Sequence, residues 1–174
     1  WGEGVRVSDN GNLQAGYFPP MLPDTDGGAV FAYYDNTGVA FDIRVQHVDS
    51  GGARRFGNAG VIATTDTSRN HVSPAGAFDV STGDTYVAWV DEQTLSMQSW
   101  HSLRVQRIDA NGNRQWGNTG VELVAPAIAT TGENALSRPV VLIAPDGVIV
   151  AWTTGNTSVS SNPVRAHYLD RDGE

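Results

Sequence analysis

The sequence predicts an all-β protein assembled from three copies of one four-stranded unit. Two observations lead there. A motif recurs about every 60 residues, and a period of that length marks a repeat architecture. Gly, Pro, Asn and Asp punctuate the chain at short intervals, and no stretch sustains a helical apolar period; this is the pattern of short strands joined by turns.

The motif is plainest in residues 45–61 (VQHVDSGGARRFGNAGV) and 105–121 (VQRIDANGNRQWGNTGV). A third copy is divided between the ends of the chain. Residues 166–174 (AHYLDRDGE) supply its first half and residues 1–5 (WGEGV) its second.

Each repeat then resolves into four strands. The first is weak and spans 17–23, 71–80 and 136–143. A turn follows at 24–28, 81–84 and 144–147. The second strand is the clearest, at 29–35, 85–91 and 148–153, aligned on Ala32, Ala88 and Ala151 with Tyr33, Trp89 and Trp152 next. These runs are almost continuously apolar, as strands buried on both faces are. The third strand covers 41–49, 102–109 and 163–170 and places Arg44, Arg104 and Arg165 in one column. The fourth begins near Phe56, Trp116 or Trp1 and passes a Gly-Val pair into Ile62, Glu122 or Arg6. A tight hairpin rich in Asp, Asn and Gly joins strands three and four, where residues with positive φ are expected.

The loops joining strands two and three differ. One is short, around 36–38. The second, 92–100, is longer and carries Met97 and Trp100, and the third, 155–162, is rich in Ser, Thr and Asn. Variable loops on a constant framework are where function usually sits.

Composition sets limits. The 174 residues, 40% hydrophobic and 17% charged, suit one folded region with its own core. A net charge of −8 argues against nucleic acid and against anionic membrane surfaces, which need excess Lys and Arg. No apolar stretch approaches the roughly 20 residues of a membrane helix. The absence of cysteine excludes disulfides, thiolate zinc sites and cysteine nucleophiles, and it is compatible with export. There is no signal peptide, and Trp1 stands in mid-repeat, so the expectation is a processed product or an excised piece of a longer protein. Asn156-Thr157-Ser158 is a glycosylation sequon.

Four strands per repeat, the long period and the buried second strand together resemble a β-propeller blade. The Asp-x-x-Gly-x-x-x-Trp/Phe-Gly hairpin is similar to the Asp-box hairpin and to the tryptophan-docking hairpin of quinoprotein-type propellers. The resemblance implies that Trp1, Phe56 and Trp116 dock on a neighbouring blade. It also implies that Asp49 with Gly52, Asp109 with Gly112 and Asp170 with Gly173 shape the turns. The Ser-x-Asp start of an Asp box is missing, and Phe56 stands where tryptophan is usual. The pattern most resembles propeller-like repeats of large bacterial secreted or surface proteins, which implies an extracellular or cell-surface location. The expected layout is one propeller region, 1–174. Within it, 1–10 is the fourth strand of a closing or preceding blade, 11–65 and 66–125 are complete blades, and 126–174 is a blade without its fourth strand. Closed propellers begin at four blades. The expected partners are therefore the remaining blades of a parent protein, or a second copy that completes a six-bladed ring.

Several residues are candidates for chemistry. Asp24 with Asp26, and Asp170 with Asp172, resemble the alternating carboxylates of an oxygen-ligand calcium loop, although Asp and Gly at these places also suit plain turns. Calcium is the one cofactor these residues suggest. The Arg44, Arg104 and Arg165 column suits either carboxylate recognition or internal salt bridges. Tyr17, His71, Trp100 and Arg138 are candidate ligand-binding residues. His71 starts an inner strand, while Tyr17 and Trp100, with Phe18, Met21 and Met97, offer surfaces that stack on sugars. No Gly-x-Ser-x-Gly elbow, phosphate loop or dinucleotide fingerprint is present. The functional expectation is a non-enzymatic extracellular structural or binding module for a protein or glycan. The alternative is part of a carbohydrate-active enzyme, a glycosidase or polysaccharide lyase, whose site is completed by blades outside this chain.

Overall fold

A computed structural model describes residues 1–10, 19–36, 40–129, 136, 138–155 and 163–174. Those residues form three antiparallel sheets in chain order and contain no helix. Sheet 1 is β1 (Met21–Pro23), β2 (Ala29–Asn36), β3 (Phe41–Val48) and β4 (Val61–Ile62). Sheet 2 is β5 (Asn70–Asp79), β6 (Asp84–Leu95), β7 (Gln98–Ile108) and β8 (Val121–Ile128). Sheet 3 is β9 (Val140–Ala144), β10 (Gly147–Thr153) and β11 (Val164–Asp170). Every sheet is a simple meander, each strand pairing with its neighbours in sequence.

The sheets stack face to face. Val30, Ala32, Ile43 and Val45 of sheet 1 pack with Val87, Trp89 and Ile108 of sheet 2. Tyr86, Ala88, Leu103 and Val105 on the other face of sheet 2 pack with Val148, Val150, Trp152 and Leu169 of sheet 3. Alternate residues of β6 thus serve opposite neighbours, which is why that strand reads as a continuous apolar run. β10 is covered on one face only. On the other face Val140, Leu142, Val164 and Tyr168 are exposed. The rear of sheet 1 is closed instead by the N-terminal segment, whose Val5 and Val7 pack on Phe31, Tyr33 and Val48.

The stretch 92–100 differs from the expected loop. β6 and β7 stay paired as far as Leu95 and Gln98. Only Ser96 and Met97 turn, with φ of 50° and 64°, the two positive values of a primed hairpin turn. Continued pairing satisfies backbone groups that a loop would leave to water.

The three hairpins after the third strands share one geometry. Oδ1 of Asp49 accepts the N–H groups of Gly51 and Ala53 at 3.0 and 2.9 Å. Oδ1 of Asp109 accepts those of Asn111 and Asn113 at 2.9 and 2.8 Å, and Oδ1 of Asp170 those of Asp172 and Glu174 at 2.9 and 3.0 Å. Gly52, Gly112 and Gly173 follow with φ of 85°, 85° and 88°, a region that penalises a side chain. Glycine is required there for a second reason: an aromatic ring lies on each. Trp1 lies against Gly52, Phe56 against Gly112 and Trp116 against Gly173. Each aromatic therefore docks on the hairpin of the next sheet.

Two of the three docks carry a hydrogen bond. Trp1 Nε1 donates to Ser50 O at 3.1 Å and Trp116 Nε1 to Arg171 O at 3.0 Å. Phe56 has no such donor, and the equivalent acceptor is Ala110 O. Phe56→Trp is expected to raise stability by about 1 kcal/mol, the usual net value of one hydrogen bond. A urea melt checks this; a lower midpoint would show that the pocket is sized for phenyl alone.

Candidate functional site

The charged residues gather where the second and third strands of sheet 2 run toward their loop ends. His71 opens β5 and pairs across the ladder with Asp91 of β6. Asp91 is 1% exposed and is the hub. Its Oδ1 accepts His71 Nδ1 at 2.7 Å and Trp89 Nε1 at 2.6 Å. Its Oδ2 accepts Ser102 Oγ at 2.9 Å, Arg104 Nε at 3.0 Å and Arg69 at 3.5 Å. Arg104 also reaches Glu122 of β8 at 2.7 Å. The other nitrogen of His71 faces the carbonyl of Asp66 at 2.7 Å. Both ring nitrogens thus face acceptors, which suits the doubly protonated ring.

The titration behaviour follows. Burial pushes the His71 imidazole down, but the hydrogen bonds and charge of Asp91 and the Asp66 carbonyl outweigh it and hold the ring above its ordinary value. Burial pushes the Asp91 carboxyl up, but His71, Ser102 and Trp89 hold it below the usual carboxylate range. The stability carried by protonated His71 is therefore complete below its unfolded value and is lost as pH rises through the raised one. That carried by Asp91 is complete above its unfolded value and is lost as pH falls through the lowered one. The urea midpoint is expected to be highest between about pH 4 and about pH 6.5. An Asp91→Asn chain should lose the decline on the alkaline side, and a decline that persists unchanged would separate it from His71.

Beside this network an open depression of about 250 Å³ lies at the loop end of sheet 2, with Ala40, just before β3 of sheet 1, at its rim. Ser68, Arg69, Asn70, Glu92, Gln93 and Thr94 line it. The Asn70 carboxamide oxygen accepts Phe41 N at 3.2 Å and ties the rim to sheet 1. Arg69 belongs to the cavity and to the Asp91 network at once. On the far side of Arg69, a small recess brings together Gln93, Trp100, His101 and Pro126. Trp100 is half-buried, and its indole N–H has no acceptor. The arrangement offers neutral and charged hydrogen-bonding groups beside one aromatic wall, which suits a polar, hydroxyl-bearing ligand.

Of the ligand candidates from sequence, Trp100 lies at this site. His71 lies behind it: the side chain is fully buried, so it orients Asp91 and touches nothing outside. Arg138 is exposed next to β9 in sheet 3. Tyr17 and Phe18 lie outside the described residues, as does the 156–158 sequon. The docking aromatics sit on neighbouring hairpins, as above. The carboxylates proposed for calcium occupy separate turns. Asp24 Oδ1 accepts the N–H groups of Asp26 and Gly28 at 2.9 and 2.7 Å, and Oδ2 meets His47 at 2.9 Å. Asp170 Oδ1 is engaged by its own hairpin, while Asp26 is exposed. Among the described residues no group of three or more His, Asp or Glu is placed to hold a metal ion.

Among the described residues, two of the three column arginines form ion pairs: Arg44 with Asp35 at 2.7 Å and Arg104 with Asp91. Burial pushes the Asp35 carboxyl above its ordinary range despite Arg44, and the charge of Asp42 adds to the rise. Sequence reasoning passed over Asp91, Arg69, Glu92 and Gln93. The available signal was an acid two residues after the Tyr33 and Trp89 positions, which themselves stand opposite the arginine column.

No protein-family model and no curated protein sequence matches the chain. Among solved structures, an endo-arabinase from Bacteroides thetaiotaomicron, a propeller-like enzyme, aligns over 98% of this chain with a TM-score of 0.56 at 13% identity. The chain spans 62% of that structure's length. At this identity the likeness is one of fold: an all-β chain of antiparallel sheets.

Proposed function

We propose that the chain is a glycan-binding module of propeller build, acting outside the cell and without a catalytic set of its own. The polar cavity at Arg69, flanked by Trp100, is the observation that carries this reading. Sugars are recognised by planar hydrogen-bonding side chains at their hydroxyls and by an aromatic face on their C–H surface. Gln93 and Trp100 face each other across β6 and β7 and provide one of each. The test is isothermal titration with linear arabino- and gluco-oligosaccharides. Binding is expected, weakened about tenfold, or 1.4 kcal/mol, by Gln93→Ala or Trp100→Ala with little change in melting temperature. Absence of binding to every oligosaccharide would overturn the reading.

The likeness to an endo-arabinase favours a second reading, in which the sheets form part of a carbohydrate-active enzyme. Release of reducing ends from arabinan by the purified chain decides between them. Turnover would support the enzyme, and binding without turnover the module.

The reading includes a partner. The exposed face of sheet 3 bears Leu142, Val164 and Tyr168 where the matching faces of sheets 1 and 2 are covered by the next sheet. A second copy of the chain is the occupant proposed here. Light scattering is expected to give about twice the 18.5 kDa monomer, and Leu142→Glu to return the monomer mass. A wild-type chain that stays at the monomer mass would exclude self-association.

A further inference from the structure

The three sheets keep one arrangement at the end of the second strand, and sheet 3 lacks one part of it. Tyr33, Trp89 and Trp152 stand opposite Arg44, Arg104 and Arg165 in the ladders. Two residues after the aromatic, sheets 1 and 2 have Asp35 and Asp91, whereas sheet 3 has Thr154. In sheet 2 the carboxylate joins both donors: Oδ1 accepts the Trp89 indole N–H at 2.6 Å and Oδ2 accepts Arg104 Nε at 3.0 Å. In sheet 3 both donors remain, and no carboxylate stands with them among the described residues. Trp152 is 6% exposed, and its indole nitrogen is buried without an acceptor. Arg165 is exposed and has no acidic partner among the described residues. The sequence between Thr154 and Arg165 contains no Asp or Glu to take the place.

We infer that Trp152 and Arg165 form a binding site for the carboxylate of an acidic sugar, a uronate seated where Asp91 sits in sheet 2. The chemistry matches on both sides. A guanidinium prefers a carboxylate and can grip it with two parallel bonds. A buried indole N–H without an acceptor gains more from a partner than an exposed one does. Arg165 opens to solvent, so a ligand can reach the guanidinium from outside, while the Trp152 indole nitrogen lies covered behind it. The inference rests on the glycan reading for the rest of the ligand, and it adds acidic residues to the sugars bound.

The test is titration with trigalacturonate, with its methyl ester as the uncharged twin and arabinotriose as a neutral control. Trigalacturonate is expected to bind at least about tenfold more tightly than the ester, with a preference that shrinks as salt is added. Thr154→Asp restores the missing carboxylate from within. It is expected to abolish the preference and to raise the melting temperature. Arg165→Gln, on an exposed side chain, and Trp152→Phe, which keeps the ring and removes the N–H, should each cut the preference without loss of fold. Equal binding of acid and ester, or a preference that survives Thr154→Asp, would overturn the uronate site and leave the glycan reading standing. Binding of none of the three sugars would remove both.

Discussion

Trp116→Ala is expected to cost about 3 kcal/mol or more of unfolding free energy, as other buried large-to-small aromatic changes do. The ring is 8% exposed and joins two sheets. It lies on Gly173, packs against Tyr86 at 5.6 Å between centroids and donates its indole N–H to Arg171 O. Its own backbone N–H is held by Gln106 Oε1 at 2.9 Å, so the ring is aimed before it docks. Alanine keeps that backbone bond but leaves a hole over Gly173, where the backbone cannot collapse because the hairpin is fixed by Asp170. Urea unfolding measures the loss, and a value under about 1 kcal/mol would show that the indole does not hold sheets 2 and 3 together.

Asp91→Ala is expected to cost about 3–5 kcal/mol, the usual result of removing one side of a buried charged network. The damage comes from what is left behind. His71 Nδ1, the Trp89 indole and the Ser102 hydroxyl all lose their acceptor inside the protein, and Arg104 keeps only Glu122. Asp91→Asn retains the shape and should fall between alanine and wild type. Equal losses for Asn and Ala would mean that charge, not hydrogen bonding, is what the network needs. Oligosaccharide titration on the same variants reads a separate quantity, since Arg69 at the cavity wall is steadied by Asp91 at 3.5 Å.

The docking hairpins were legible in the sequence because their chemistry is local. In the two unbroken copies Asp, Gly and the aromatic residue lie within eight positions of one another, and each has one conformational or packing job. The second strands were legible for a related reason: burial on both faces removes polar residues from the run. Asp91 was harder to see. It closes an apolar strand, where an acid looks like the start of a turn, and only the ladder places His71 directly opposite it. The same pairing explains why His71, a candidate ligand-binding residue from the sequence, is internal. The 92–100 segment read as a loop because Glu92, Gln93 and Thr94 are polar, yet they are the outer end of a paired strand that rises past the core. The calcium candidates show that one spacing serves two purposes. Asp24 and Asp170 have the spacing of ligands, and Oδ1 of each also accepts backbone N–H groups of its own turn.

Sheets 1 and 3 have no extensive contact with each other among the described residues, and each leans on sheet 2. Such a stack behaves as a one-dimensional array, in which stability is a sum of units and nearest-neighbour joints. Opening should then begin at the ends and move inward. Sheet 3, with one bare face and three strands, would give up its amide protons to solvent first. The middle unit, clasped on both sides, would hold its protons longest. The Asp91 cluster and the cavity beside it lie on that unit, so the recognition surface would outlast fraying of the sheets around it.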